Sequence, residues 1–95
     1  ENGEILKGTI AEQTSIVLRN IEAILNAGGS SLDDVVKTTV YITDINRFSD
    51  MNNVYGEFFK EPYPSRATVE VSKLPKGVDV EIDVIAVVNS KKSEM

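Results

Sequence analysis

Two residue types that carry much of enzyme chemistry are missing, because the 95-residue chain contains no cysteine and no histidine. Their absence excludes a Ser-His-Asp triad, a cysteine nucleophile, a disulfide framework and histidine- or thiolate-held metals. It fits a reducing compartment, so the expected location is the cytoplasm, with the mitochondrion as the alternative. Basic residues are also scarce, 10 Lys and Arg against 15 Asp and Glu, leaving a formal charge of −5. Phosphate backbones demand clustered cations, which counts against nucleic acid as the main partner. No apolar run approaches the roughly 20 residues that cross a bilayer, and the opening ENGEILKG has neither the basic n-region nor the apolar h-region of a signal peptide. No GxxxxGK[ST] loop is present, and the glycine pair at 28 and 29 reads as a helix stop rather than a dinucleotide fingerprint.

What is present fits one small domain over residues 1–95, 41% apolar and 26% charged, with a polar tail NSKKSEM at 89–95. A chain of this size buries only about two-thirds of its unfolded surface, so help from a partner chain or ligand is expected. Thr9 and Glu12 form a capping box, and Ile10, Val17, Leu18, Ile21, Ile24 and Leu25 follow at helical spacing up to Gly28 and Gly29. The run Val35 to Thr43 is rich in β-branched residues and predicts a strand with Val36, Thr38, Val40 and Ile42 on one face. Asp44 or Asn46 then caps a second helix whose buried stripe is Phe48, Met51, Asn52, Tyr55, Phe58 and Phe59. The prolines of EPYPS end it.

The stretch SRATVEVSKLPKGVDVEIDVIA, residues 65–86, predicts a β-hairpin turning at Leu74-Pro75-Lys76-Gly77 as a type I turn. In that register Val71 opposes Val80, Val69 opposes Ile82 and Ala67 opposes Val84, while Glu81 opposes Glu70. Beyond Asp83 the second arm, Val84 to Val88, is apolar on both faces, from which an oligomer interface is expected.

Three polar residues stand out as candidates for chemistry. A guanidinium binds a carboxylate bidentately, so Arg66 is the first, against the plainer reading of a surface charge. Glu81 lies between Asp79 and Asp83, where like charges raise the pKa of the least solvated group and suit it to holding a water or proton. The plainer reading is a solvated acidic face, and a calcium site is disfavoured because a strand points such carboxylates in parallel. Asn52 stands on the apolar stripe of the second helix, where a buried amide needs partners, either a backbone group as a structural bond or a site that it braces, and Tyr55 reads as a core aromatic whose hydroxyl reaches an edge.

SSLDDVVKTTVYITDINRFSDMNNVYGEFF, followed by PSRATVEVSKLPKGVDVEIDVIA, resembles the reactive intermediate deaminase family, RidA/YjgF, over essentially the whole chain. The resemblance implies an α+β, chorismate-mutase-like fold, a mixed β-sheet with two helices packed on one face, assembled as a homotrimer with inter-subunit clefts. It implies a cofactor-independent 2-iminobutanoate/2-iminopropanoate deaminase, hydrolysing enamine/imine intermediates such as 2-aminoacrylate and 2-aminocrotonate, released by pyridoxal-phosphate dehydratases, to 2-oxo acids and ammonia. By the same resemblance Arg66 binds the substrate carboxylate, Glu81 serves the water and proton transfer, and Asn52 matches the family's helix asparagine. The second position after the arginine is often cysteine in the family; here it is Thr68, so a substrate contact there rests on backbone or hydroxyl groups. The family also places further strands, with a tyrosine and a serine of the cleft, before the residue matching Glu1, and the natural protein is expected to be longer.

The hairpin register separates the Arg66 and Glu81 Cα atoms by at least ~13 Å, at about 3.3 Å per residue. The expectation is therefore a cleft that combines Arg66 of one chain with groups of a neighbouring chain, with Glu81 reached through water or across the interface. Two other classes compete: a translation-inhibiting ribonuclease, opposed by the acidic balance, and a non-catalytic trimer that binds a metabolite or acts as a chaperone and would use Arg66 without Glu81.

Overall fold

The computed structural model describes residues 8–88, and the polar tail expected at 89–95 lies outside them. Helix α1 (Ile10–Ala27) starts where the capping box predicts: the Glu12 amide donates to Thr9 Oγ1 at 3.1 Å, and the Thr9 amide donates to Glu12 Oε1 at 2.9 Å. Both bonds satisfy donors that a helix start leaves orphaned. Thr9→Ala is expected to cost about 1 kcal/mol of stability, with Thr9→Ser close to neutral. Urea denaturation checks it, and equal midpoints for the alanine variant and the wild type would contradict it. The helix ends at Gly28, and Gly29 takes φ +85°, a left-handed conformation costly for residues with a Cβ. Ile10 and Leu18 are buried and Val17, Ile21 and Leu25 pack against the core, but Ile24 is 70% exposed and leaves the predicted stripe.

Strand β1 (Val35–Ile42) occupies the predicted run. A register irregularity between Val35 and Lys37 corrects one assignment: Val35 is buried and Val36 is 51% exposed, while Thr38, Val40 and Ile42 keep the buried face. An extra residue in a ladder shifts the alternation, which a period-2 pattern does not register. Asp44 caps a short 3₁₀ turn, Ile45–Arg47, rather than the helix itself, with its Oδ1 accepting the Asn46 amide at 3.0 Å. Helix α2 (Phe48–Phe58) follows and buries Met51 and Tyr55; Phe59, just beyond it, is buried too.

The hairpin is overturned. Strands β2 (Ser65–Glu70) and β3 (Val80–Ala86) do not pair with each other, because the sheet order is β2-β1-β3. Strand β2 runs parallel to β1 with Arg66 opposite Thr38, and β3 runs antiparallel with Glu81 opposite Tyr41. The segment between them passes over the end of β1, where the Val71 amide donates to the Ile42 carbonyl at 2.9 Å and the Thr43 amide to the Asp79 carbonyl at 3.1 Å. Placing β1 in the middle gives its backbone two ladders instead of one, and the longest β-branched run becomes the most covered strand. The turn at Leu74–Gly77 does close, with the Gly77 amide donating to the Leu74 carbonyl at 3.2 Å. Lys76 takes φ +62°, however, which is incompatible with the predicted type I turn.

Both helices pack on one face of this mixed three-stranded sheet, and their shared core contains Leu18, Val40, Ile42, Met51, Val80 and Ile82. Gln13, a buried residue of α1, ties that helix to the start of β3. Its Nε2 donates to Asp79 Oδ2 at 3.0 Å and to the Gly8 carbonyl at 3.2 Å, while its Oε1 accepts the Asp79 amide at 2.8 Å. No helix among the described residues is long and apolar enough to cross a membrane.

Candidate functional site

Alternation along β2 puts Arg66, Thr68 and Glu70 on the helix-covered side of the sheet. Glu70 is used there as a brace, its Oε2 accepting the Ile45 amide at 3.0 Å. Arg66 lies beneath α2, whose stripe offers Phe48, Asn52 and Tyr55 at positions i, i+4 and i+7. The guanidinium carbon sits 4.6 Å from the Tyr55 ring centroid and 5.1 Å from that of Phe48, and Nη1 donates to Asn52 Oδ1 at 2.5 Å. Although the residue is exposed, its charged head is therefore held against protein rather than hanging in solvent. Thr68 is two residues along the same face, about 6.6 Å away at Cα, so its half-buried side chain adjoins the Arg66 site.

Beneath this site Tyr55 is tethered to the sheet. Its hydroxyl shares a 2.7 Å hydrogen bond with Thr38 Oγ1, and Thr38 is fully buried. The hydroxyl thus turns inward to the central strand rather than to an edge. Asn52 finds its acceptor role with Arg66, so the amide belongs to the candidate site and not only to the helix backbone.

Glu81 is elsewhere. It faces the side of the sheet that the helices leave open, with Asp83 on the same strand and Tyr41 opposite. From Arg66 it lies two strands across and three residues along, roughly 14 Å at Cα, and on the other face. The register that opposed Glu81 to Glu70 is wrong, and within one chain the two groups do not meet. The proposed acidic row also breaks at Asp79, whose carboxylate is engaged by Gln13 and by the Thr43 hydroxyl at 3.3 Å. Among the described residues no cluster of three or more Asp or Glu could hold a metal ion. Desolvation, then the charge and hydrogen bond of Asp83, then the charge of Glu81, raise the Tyr41 phenol pKa above its ordinary value.

Sequence reasoning missed Phe48 and Tyr55 as a platform for the arginine, treating both as core. The signal was present in their spacing around Asn52, but it became meaningful only once β2 was known to run parallel beneath α2. It also missed Thr38 and Gln13, single polar residues whose partners are 17 and 66 positions away.

Comparison with known proteins bears on the sequence and the overall fold. A family model described as endoribonuclease L-PSP matches residues 1–88. A RutC family protein of Pyrococcus abyssi is 57% identical over 86 residues, covering 90% of this chain and 68% of that protein. A human 2-iminobutanoate/2-iminopropanoate deaminase is 41% identical over 86 residues, 90% of this chain and 63% of the human protein. Among solved structures, Escherichia coli TdcF with bound serine superposes with a TM-score of 0.84 at 43% identity, over 92% of this chain and 70% of that one. The chain thus spans about two-thirds of the length of these relatives. Helices, sheet and sequence together place the chain in the endoribonuclease L-PSP family, the group also known as RidA/YjgF.

Proposed function

We propose that the protein is a cofactor-independent deaminase of 2-imino acids, converting the imine and enamine products of pyridoxal-phosphate dehydratases to 2-oxo acids and ammonia. The observation that carries this reading is the restrained guanidinium of Arg66, whose remaining N–H donors suit a small carboxylate. The names of the human and bovine relatives, and serine bound to the TdcF relative, support a small carboxylate-bearing substrate of this kind.

In this reading Arg66 grips the carboxylate, with Asn52 and Thr68 beside it, and a water adds to the imine carbon to give a 2-amino-2-hydroxy acid. Glu81 takes one proton from that water as the imine nitrogen, entering protonated, becomes an amine; it passes this proton to the amine and then accepts the hydroxyl proton as the C–N bond breaks, releasing ammonia and forming the oxo group. The imine carbon is already electrophilic, so orientation and water delivery provide the catalysis. Because Glu81 lies on the opposite face from Arg66, the proposed cleft unites Arg66 of one chain with Glu81 of a neighbour in a homotrimer. The open side of the sheet, with Val69 and Ile85 exposed, and Val87 and Val88 exposed just beyond β3, is the surface proposed to meet that neighbour. The proposed setting is the cytoplasm or the mitochondrion, where such dehydratases release these intermediates.

The test is a coupled assay with a serine or threonine dehydratase, following 2-oxo acid release where spontaneous imine hydrolysis is slow. Glu81→Gln is expected to lower kcat by about 10²-fold or more while leaving 2-oxo acid binding near wild type. Full activity in Glu81→Gln removes that carboxylate from the chemistry and favours a binding protein. The description of the matching family model favours ribonuclease activity as a second reading. A salt-dependent RNA affinity measured beside imine hydrolysis separates the two, and the charge of −5 argues for the weaker RNA response.

A further inference from the structure

An arginine on a strand near the sheet edge normally samples many rotamers, and a ligand that needs it in one of them bears the ordering cost on binding. Arg66 is exposed, yet three groups of α2 define where its head lies. Asn52 takes one N–H at the rim of the guanidinium plane, while Phe48 and Tyr55 hold the group through their ring faces. The two kinds of contact are compatible: ring attraction is directed at the cation as a whole, whereas a carboxylate binds the N–H edge in plane. The rings therefore restrain Arg66 without occupying the donors a ligand needs.

The platform is anchored where it matters. Thr38 is the ladder partner of Arg66, and its hydroxyl is hydrogen-bonded to Tyr55. The Arg66 backbone and the ring that supports its head are thus both referred to one fully buried residue of the central strand. Resting on the reading of Arg66 as the carboxylate anchor, we propose that Phe48 and Tyr55 are positioning residues that preset this guanidinium for its ligand. Their contribution is to the affinity for the carboxylate, equal in ground and transition state, and so falls on KM rather than kcat.

The experiment compares Phe48→Leu, Tyr55→Leu and Phe48→Tyr in the full chain. Phe58→Leu serves as a control on the same helix, since Phe58 packs on the core and forms no ring contact with Arg66. The readouts are KM and kcat for imine hydrolysis, the Kd of pyruvate by calorimetry, and thermal unfolding. Both ring-deleting variants are expected to raise KM and the pyruvate Kd by about five-fold with kcat within about two-fold, and Phe48→Tyr to restore them. Phe58→Leu lowers the unfolding temperature without moving either constant. Wild-type KM and Kd in Phe48→Leu and Tyr55→Leu overturn the proposal, as does an equal rise in Phe58→Leu. Arg66→Ala distinguishes the two levels: if it too leaves the pyruvate Kd unchanged, the anchor reading itself fails, whereas arginine-dependent binding that ignores the rings sinks only their positioning role.

Discussion

Arg66→Ala is expected to reduce kcat/KM for the proposed 2-imino acid hydrolysis by about 100-fold or more, chiefly through KM. The estimate follows from the bonds lost. A hydrogen bond to a charged group contributes about 1.5–3 kcal/mol, and a carboxylate held by a guanidinium fork makes two of them. Discounting for solvent at this exposed site, about 3 kcal/mol remains, a little over two decades at 1.36 kcal/mol each. Arg66→Lys keeps the charge but loses the planar fork and the fit over the Phe48 and Tyr55 rings, so it is expected to recover only a minor part of the activity. Initial-rate kinetics on the imine, beside calorimetry with pyruvate, checks both substitutions. Unchanged KM in Arg66→Ala would remove the carboxylate anchor and with it the proposed reaction.

The second large effect is on stability. Ile42 is fully buried on the central strand, with Glu70 and Val80 as its ladder partners. Truncation to alanine removes three methyl or methylene groups and leaves a cavity in surroundings fixed by two ladders, so relaxation can close little of it. Ile42→Ala is expected to cost about 3–4 kcal/mol. That is a large share of the roughly 5–15 kcal/mol that stabilises a typical domain, and it corresponds to a fall in Tm of roughly 15 °C or more. Ile24→Ala is the same chemical change at a residue 70% exposed, and is expected to stay within about 0.5 kcal/mol. Thermal and urea unfolding followed by circular dichroism measure both. Similar losses at the two positions would mean that α1 meets a further surface at Ile24, or that the core around Ile42 is loose.

The contrast between these two isoleucines illustrates what the pattern of α1 contained. Ile10, Leu18, Ile21 and Ile24 all fit a helical period, and the period alone ranks none above another. Burial in the fold separates them: Ile10 and Leu18 are buried, Ile21 packs against the core, and Ile24 faces outward. At Val35 and Val36 the ambiguity has a different origin, since one irregular residue in the β1/β3 ladder exchanges the inward and outward valines. The candidate site divides in the same way. Arg66, Asn52 and Glu81 were visible as polar residues in telling positions, yet the hairpin register set Glu81 beside Glu70 on the arginine's own face. In the fold the two candidates lie on opposite faces of the sheet, and Arg66 meets α2 instead.

By itself the amino-acid order determined the capped start and glycine stop of α1, the segments that become α2 and the three strands, and the exclusions imposed by missing cysteine and histidine, because caps, breakers and side-chain periods act within a few residues. Only the tertiary structure decided that β1 lies between β2 and β3, that Tyr55 and Phe48 support Arg66, and that Glu81 looks away from it. The reason is physical: a period of two says which side a residue faces but nothing about which strand lies next to it. Strand neighbours are chosen by how many backbone groups and apolar faces the whole assembly can satisfy at once.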